Sequence, residues 1–279
     1  MLTVCKQKTI LVTGGSSGIG FATAQTLAER GARVILTSRS LARAQEAAAD
    51  IGAEGLALDL SSLASLEDFA RDLTELAPEL NIVIHNAGAV YPKRRETPEG
   101  LDAQFAVIYL GPFLLNHLLL QTLKGNAPSR IINVVSDLHR NVSLDFDDLQ
   151  SESKYNFLTS YSRAELAKVM DTYHLSRRLD PEEVSVYCLH PGGVRTNLFR
   201  NFRGPLGWLI QLSNLLKMSP SAGARTSVFL ATSEELESGA YYQKCRVKKS
   251  SKQSYDREAQ ERLYTISRKL VGINAKPVG

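Results

Sequence analysis

The chain has 279 residues, with 33 Lys and Arg against 29 Asp and Glu, and is 43 % hydrophobic and 22 % charged; that is ordinary globular usage and excludes a disordered or fibrous chain. It holds no run of 18 apolar residues of the kind a spanning helix needs, and residues 1–8 are too few and too polar for a signal peptide. Cys5, Cys188 and Cys245 are odd in number and far apart, and the five His lack metal-ligand spacing, so neither a disulfide framework nor a metal site is expected and the setting is a reducing, cytoplasmic one.

Short apolar runs alternate with segments of helical length. In chain order the pattern predicts a strand at 9–13, a helix at 19–30, a strand at 33–38, a helix at 41–50 and a strand at 55–58. A helix at 63–76, a strand at 81–85, a helix at 100–123 and a strand at 130–135 follow. The last elements are a helix at 162–179, a strand at 184–189, a helix at 221–232 and a strand at 240–247. Runs such as TILV and RIINVV are apolar throughout, as strands buried on both faces of a parallel sheet are. The alternation predicts one α/β domain over 1–279, a doubly wound parallel sheet (Rossmann fold) of about seven strands with helices on both faces. Two segments break the rhythm, polar residues 137–160 and apolar residues 199–220. Each follows the carboxyl end of a strand, where open α/β sheets bind ligands.

The first strand runs directly into Thr13-Gly14-Gly15-Ser16-Ser17-Gly18-Ile19-Gly20, and the first helix opens there. Glycines let the backbone turn tightly and approach a pyrophosphate, and the helix N-terminus offers free N–H groups and a positive dipole end. The second strand ends in Ser38-Arg39 with no acid nearby and Arg43 one turn on. A carboxylate there would suit a ribose 2′-hydroxyl; a guanidinium suits a 2′-phosphate, so Arg39 points to NADP(H). A solvated loop arginine is the plain alternative.

These features resemble the short-chain dehydrogenase/reductase family, whose cofactor loop reads T-G-x-x-x-G-I-G. Asn86-Ala87-Gly88 matches the family's N-A-G element, and Pro191-Gly192-x-Val194-x-Thr196 matches its P-G-x-V-x-T. The resemblance covers nearly the whole chain. It implies that Gly14, Ser16, Ser17, Gly18, Ile19 and Gly20 hold the phosphates and that Asp59 and Leu60 border the adenine. It further implies that Asn86, Ala87 and Gly88 pass along the ribose, and that Pro191, Gly192, Val194 and Thr196 hold the nicotinamide carboxamide. Family chemistry moves a hydride between nicotinamide and a carbonyl or alcohol carbon. Ser136, ending the fifth strand, fits the substrate-orienting Ser, and Tyr161 fits the catalytic Tyr; a turn cap and a core aromatic are the plain alternatives. The 25-residue gap between them, with Asp148-Leu149-Gln150 and with Leu110-Gly111-Pro112-Phe113 upstream, resembles the retinol-dehydrogenase-like branch.

Two family positions are altered. The residue four after Tyr161, a Lys in the family, is Glu165, and the relay Asn is replaced by Ile108. A cation one helical turn from Tyr161 would stabilise tyrosinate; a carboxylate opposes it. At an effective dielectric of about 20 and about 6 Å, each charge contributes roughly 3 kcal/mol. The exchange raises the Tyr161 pKa by up to about 4. Lys168, seven residues on, is better placed to pair with Glu165 at i, i+3. Ile108 removes the amide for a relay water. Ser136 and Tyr161 thus favour an NADP-dependent oxidoreductase with weakened catalysis. Glu165 and Ile108 favour a catalytically impaired NADP(H)-binding protein with a sensing or scaffolding role.

Residues 199–220 are the most apolar loop of the chain, and by resemblance Phe199, Phe202 and Trp208 lie in the substrate lid. An apolar lid implies a small lipophilic substrate such as a retinoid, steroid or long-chain aldehyde. Its basic flanks also fit peripheral contact with a membrane surface, and an ordinary core helix is the alternative. From residue 241 onward ten Lys and Arg face three acids. The acids interrupt that basic tail and no aromatic stacking pattern accompanies it, so it reads as a solvated helix face with a few loop lysines, and no nucleic-acid partner is expected.

Overall fold

Strands β1 (Thr9–Val12) and β4 (Leu80–His85) lie side by side at the middle of an eight-stranded sheet of order β3-β2-β1-β4-β5-β6-β7-β8 in the computed structural model of the chain. The structure describes residue 5 and residues 7–194 and 218–273. The other strands are β2 (Arg33–Ser38), β3 (Glu54–Ala57), β5 (Ser129–Val134), β6 (Val184–His190), β7 (Tyr241–Gln243) and β8 (Arg246–Lys248). All neighbours pair in parallel except β7 and β8. The strand order reverses between β1 and β4, the crevice where such sheets take ligands.

The all-apolar strand runs are buried on both faces, as their composition predicts. Ile10, Val12, Val34 and Leu36 pack with Ala24 and Leu27 of α1 (Gly18–Glu29), with Ala44 of α2 (Leu41–Ala49) and with Val228 of α7 (Pro220–Thr232). The alternate residues Leu11, Ile35 and Val83 pack on the other face with α3 (Leu63–Leu76), α5 (Gly111–Gly125) and α6 (Phe157–Ser176). The stretch Ala103–Gly125 is long and apolar enough to cross a membrane, and 89 % of its most apolar part is buried inside this fold.

Four features differ from the sequence reading. The helix predicted at 100–123 is a single turn α4 (Ala103–Phe105), a π-helical segment Ala106–Leu110, and α5. Helix α6 begins at Phe157 because the Asn156 side chain accepts from the Leu158 and Thr159 N–H groups, which puts Tyr161 inside the helix. The strand predicted at 240–247 is a hairpin turned by Lys244 and Cys245 at φ +53 and +59, residues without the Asn-Gly signature of such a turn. The basic tail contains α8 (Arg257–Leu270), capped by Asp256 and seated on the fold through buried Leu263.

Candidate active site

The loop after β1 is held from both sides. Gly15 N–H donates to Thr37 of β2 at 3.0 Å, and Thr13 N–H donates to Ile84 of β4 at 3.0 Å. The Asn86 amide donates to the carbonyls of Thr13 and Gly14 at 3.1 and 3.3 Å. A Cβ on Gly20 would lie 2.4 Å from the Gly14 oxygen, so the first turn of α1 sits directly under the loop. Gly18 has φ +59, where a side chain is strained, and a Cβ there would meet nothing within 4 Å. The bare backbone therefore faces open space. Ser17 makes no side-chain cap to α1, whereas Ser40, Ser62, Asn156, Ser219 and Asp256 each cap their own helices. The free first-turn N–H groups and the dipole of α1 are left for an anion.

The loop opens into a cleft of about 430 Å³ along the carboxyl ends of the strands. Gly14, Ser16, Ser17, Gly18 and Ile19 line it together with Thr37, Ser38, Arg39, Asp59 and Leu60. Asn86, Ala87, Gly88, Ser136, Tyr161, Glu165, Pro191, Gly192 and Val194 continue it. Gly20 does not line it; it serves by close packing. Asp59 is folded into its own turn, its carboxylate accepting from Ser61 N–H at 2.9 Å and Ser61 hydroxyl at 2.6 Å. Among the described residues the only acids on the cleft wall are Asp59 and Glu165, and Arg39 is exposed at its β2 end. Thr196, Phe199, Phe202 and Trp208 lie outside the described residues.

At the β5 end, Ser136 caps the 3-10 turn Asp137–Asn141, its hydroxyl oxygen accepting from Leu138 N–H at 3.3 Å. The Ser136 N–H donates to Glu165 Oε2 at 3.0 Å. The Tyr161 hydroxyl is turned to the Glu165 carboxyl and to Ser136, and both act on it. Burial pushes Tyr161 well above the ordinary phenol range, and the Glu165 charge pushes it further. Only the charge was visible from spacing; the larger cause, burial, was not. Burial also raises Glu165, against the pull of Lys168, and lowers Lys168, against the pull of Glu165. Both side chains are buried. Ile108 is fully buried in the π-helical segment and does not line the cleft; its neighbour Val107 does.

The cleft also takes in Ala89, Tyr91, Leu138 and His190, which the sequence reading did not single out. His190 directly precedes Pro191, and that adjacency was the available signal. Tyr91 and Leu138 are brought in by tertiary packing that no local pattern announces.

The chain matches the short chain dehydrogenase family over residues 8–205. Retinol dehydrogenase 14 from Homo sapiens is 40 % identical over 293 residues, covering 95 % of this chain and 87 % of its own length. This chain belongs to the short-chain dehydrogenase/reductase family. Among other members, retinol dehydrogenase 13 from Homo sapiens is 40 % identical over 97 % of this chain and 86 % of its own. A solved structure of an uncharacterized protein from Mycobacterium Paratuberculosis superposes with a TM-score of 0.79 at 27 % identity, covering 97 % of this chain and 95 % of that one. A metagenomic short-chain oxidoreductase solved in complex with NADP shares the fold, with a TM-score of 0.64 at 22 % identity over 86 % of this chain and 99 % of that one. Membership makes the chain an oxidoreductase by family, with a nicotinamide cofactor. The Gly18 opening and the uncapped α1 fit the phosphates of that cofactor.

Proposed function

We propose that the chain is an NADP(H)-dependent oxidoreductase acting slowly on a small lipophilic carbonyl or alcohol of the retinoid, steroid or long-chain aldehyde type. One observation carries this reading: Arg39 and the Ser136–Tyr161 pair line the same cleft, three strand positions apart, or about 14 Å at sheet spacing. An extended ligand whose phosphate meets the Arg39 guanidinium would reach Ser136 and Tyr161 with its other end. When bound, the nicotinamide supplies or accepts a hydride at the substrate carbon. The chain's own residues handle the substrate oxygen. The Ser136 oxygen already accepts a backbone N–H, which leaves its proton to donate to a carbonyl oxygen. Tyr161 carries the proton that the oxygen gains or loses.

Slowness follows from Tyr161 itself. Burial holds its proton tightly, so it is a poor base for oxidation and a weakened acid for reduction. Ala89, Tyr91, Val107 and Leu138 give the cleft an apolar wall that suits a lipophilic substrate. The names of the retinol dehydrogenase relatives support the same class. A cytoplasmic protein resting on a lipid surface would meet such substrates, and the exposed Lys244, Arg246, Lys248 and Lys249 support that placement.

The test is cofactor consumption with NADPH and NADH across lipophilic aldehydes and alcohols. The expected result is slow turnover that prefers NADPH. The altered positions favour a second reading, an NADP(H)-binding protein without turnover that senses the cofactor or holds a partner. Tight NADPH binding with no consumption across the panel would select it.

A further inference from the structure

We propose that Glu165 is the proton reservoir behind Tyr161, and that the buried Lys168 ammonium faces the charge Glu165 acquires when it gives its proton up. The proposal rests on the oxidoreductase reading above. Tyr161, Glu165, Lys168 and Thr172 follow one another at four, three and four residues on α6, so they share one face. None of the four is more than 6 % exposed. The Ser136 N–H fixes the Glu165 carboxyl at 3.0 Å, and the Tyr161 hydroxyl is turned towards it.

Lys168 acts on Glu165, on His85 at the end of β4, and on Cys188 in β6. Thr172 donates to the Lys168 carbonyl at 2.9 Å and accepts from the Asn133 amide at 3.0 Å. His85 Nε2 meets Asn116 Oδ1 at 2.7 Å. Among the described residues, His85 Nδ1, Asn116 Nδ2 and Asn133 Oδ1 are buried without a protein partner. A lone ammonium in such a place is costly, and an ionised carboxyl one turn away offsets that cost. Burial of Glu165 and attraction to Lys168 therefore oppose each other on the Glu165 proton. Among the described residues no cation opposes burial on the Tyr161 proton in the same way. Of the two, the Glu165 proton is the exchangeable one.

In reduction, the bound nicotinamide cofactor would supply the hydride for the new C–H bond, and the carbonyl π pair would move onto oxygen. That oxygen takes the Tyr161 hydroxyl proton while the Glu165 carboxyl proton moves to the Tyr161 oxygen. The outcome is an alcohol, a neutral Tyr161, and a Glu165 carboxylate faced by Lys168 and the Ser136 N–H. Alcohol oxidation runs the same transfers backward. Tyrosinate never accumulates beside a carboxylate.

Reduction then needs protonated Glu165, so its rate is full at low pH and is lost as pH rises through the Glu165 pKa; oxidation mirrors it. Among the described residues, the other titratable groups that act on the pair are Tyr161, His85 and Cys188, with His190 on the same cleft wall. Burial pushes His85 down to about 3 and Cys188 up to about 12, and it also lowers His190. Both His85 and Cys188 thus stay neutral across the range in which Glu165 titrates.

Infrared difference spectra of the cofactor-free protein test the proposal, read at the C=O stretch of protonated carboxyl. Isotope-labelled glutamate separates Glu165 from the buried Asp102 and Asp171. The expected result is a labelled band that persists above the ordinary Glu pKa of about 4.3, is absent in Glu165→Gln, and persists to still higher pH in Lys168→Met or Lys168→Gln. Glu165→Gln, which keeps an acceptor for the Ser136 N–H, should bind NADPH normally. Its reduction rate should fall by about 10²-fold or more, with the pH limb gone. A band that vanishes at ordinary Glu pH, or that neither Lys168 variant moves, overturns the proposal. Turnover that Glu165→Gln leaves unchanged also overturns it, and leaves the oxidoreductase reading standing. The expected carboxyl titration with no turnover in either direction overturns that reading, and the reservoir role with it.

Discussion

Ser136 and Glu165 are fastened to each other: the Ser136 backbone N–H donates to Glu165 Oε2 at 3.0 Å. The residue proposed to hold the substrate oxygen thus takes its backbone setting from Glu165, the residue proposed to stand at the family's lysine position. A lysine at 165 would have no lone pair for that N–H, and it would add a second buried cation three residues from Lys168. Returning the family residue is not neutral in this fold.

Glu165→Lys is therefore expected to lower stability by about 3–5 kcal/mol, the scale for breaking a buried charge arrangement. Urea unfolding measures it. The exchanged pair, Glu165→Lys with Lys168→Glu, should regain part of the loss, because opposite charges face each other again. A single variant as stable as the native chain would show that the carboxyl fastens nothing.

Arg39 should set cofactor choice. NADPH is expected to bind more tightly than NADH, and Arg39→Asp to reverse or erase the preference, since a carboxylate repels a 2′-phosphate and accepts from a 2′-hydroxyl. Titration of both cofactors against both proteins decides it. Equal affinities in the native chain would remove Arg39 from the site.

The phosphate loop should fail by packing at Gly20. A Cβ there lands on the Gly14 oxygen and the Asn86 amide, each at 2.4 Å, so Gly20→Ala should weaken NADPH binding by tenfold or more. Gly52→Ala is the control. It has φ +65, open space around it and no place on the cleft. It should cost about 1–2 kcal/mol of stability and leave NADPH binding unchanged. Equal loss of binding in both variants would mean that general destabilisation, not the loop, was measured.

The sheet and the glycine loop after β1 were legible because their signals are local. Uninterrupted apolar runs mark strands buried on both faces, and the glycine loop lies wholly between one strand and one helix. Helix α8 was legible only as a solvated helix face somewhere in the basic tail, and its bounds were not, because Arg257, Arg262 and Lys269 are exposed and Leu263 alone of its apolar residues is fully buried. The β7–β8 hairpin was hidden because Lys244 and Cys245 adopt the left-handed conformation without Gly or Asn. Tyr161, Ser136 and Glu165 could be named from spacing. The burial that governs them could not, since it depends on β4, β5 and β6 converging on one face of α6. Lys168 shows this most plainly, because a lysine gives no local sign that it is 2 % exposed.

Asp171 should make the native chain lose stability with rising pH. It is buried on α6, and burial pushes its carboxyl up to about 7. The folded chain thus holds this proton more tightly than the unfolded chain, where Asp titrates near about 3.9. The associated stability is full below about pH 4 and is lost as pH rises through about 7. Asp171→Asn should match the native chain at pH 4 and exceed it by up to about 4 kcal/mol at pH 8, at about 1.4 kcal/mol for each pH unit between the two titrations. Unfolding at the two pH values measures this, and a constant difference between the proteins would place the ionisation elsewhere.

The most direct test of the account is NADPH consumption with retinal or a long-chain aldehyde, by the native chain and by Tyr161→Phe. Slow turnover, below the usual range of about 1–10³ s⁻¹, is predicted for the native chain. In Tyr161→Phe that turnover should vanish while NADPH affinity stays the same. An ordinary rate that Tyr161→Phe leaves unchanged would contradict the account, because the proton would then come from a group other than Tyr161.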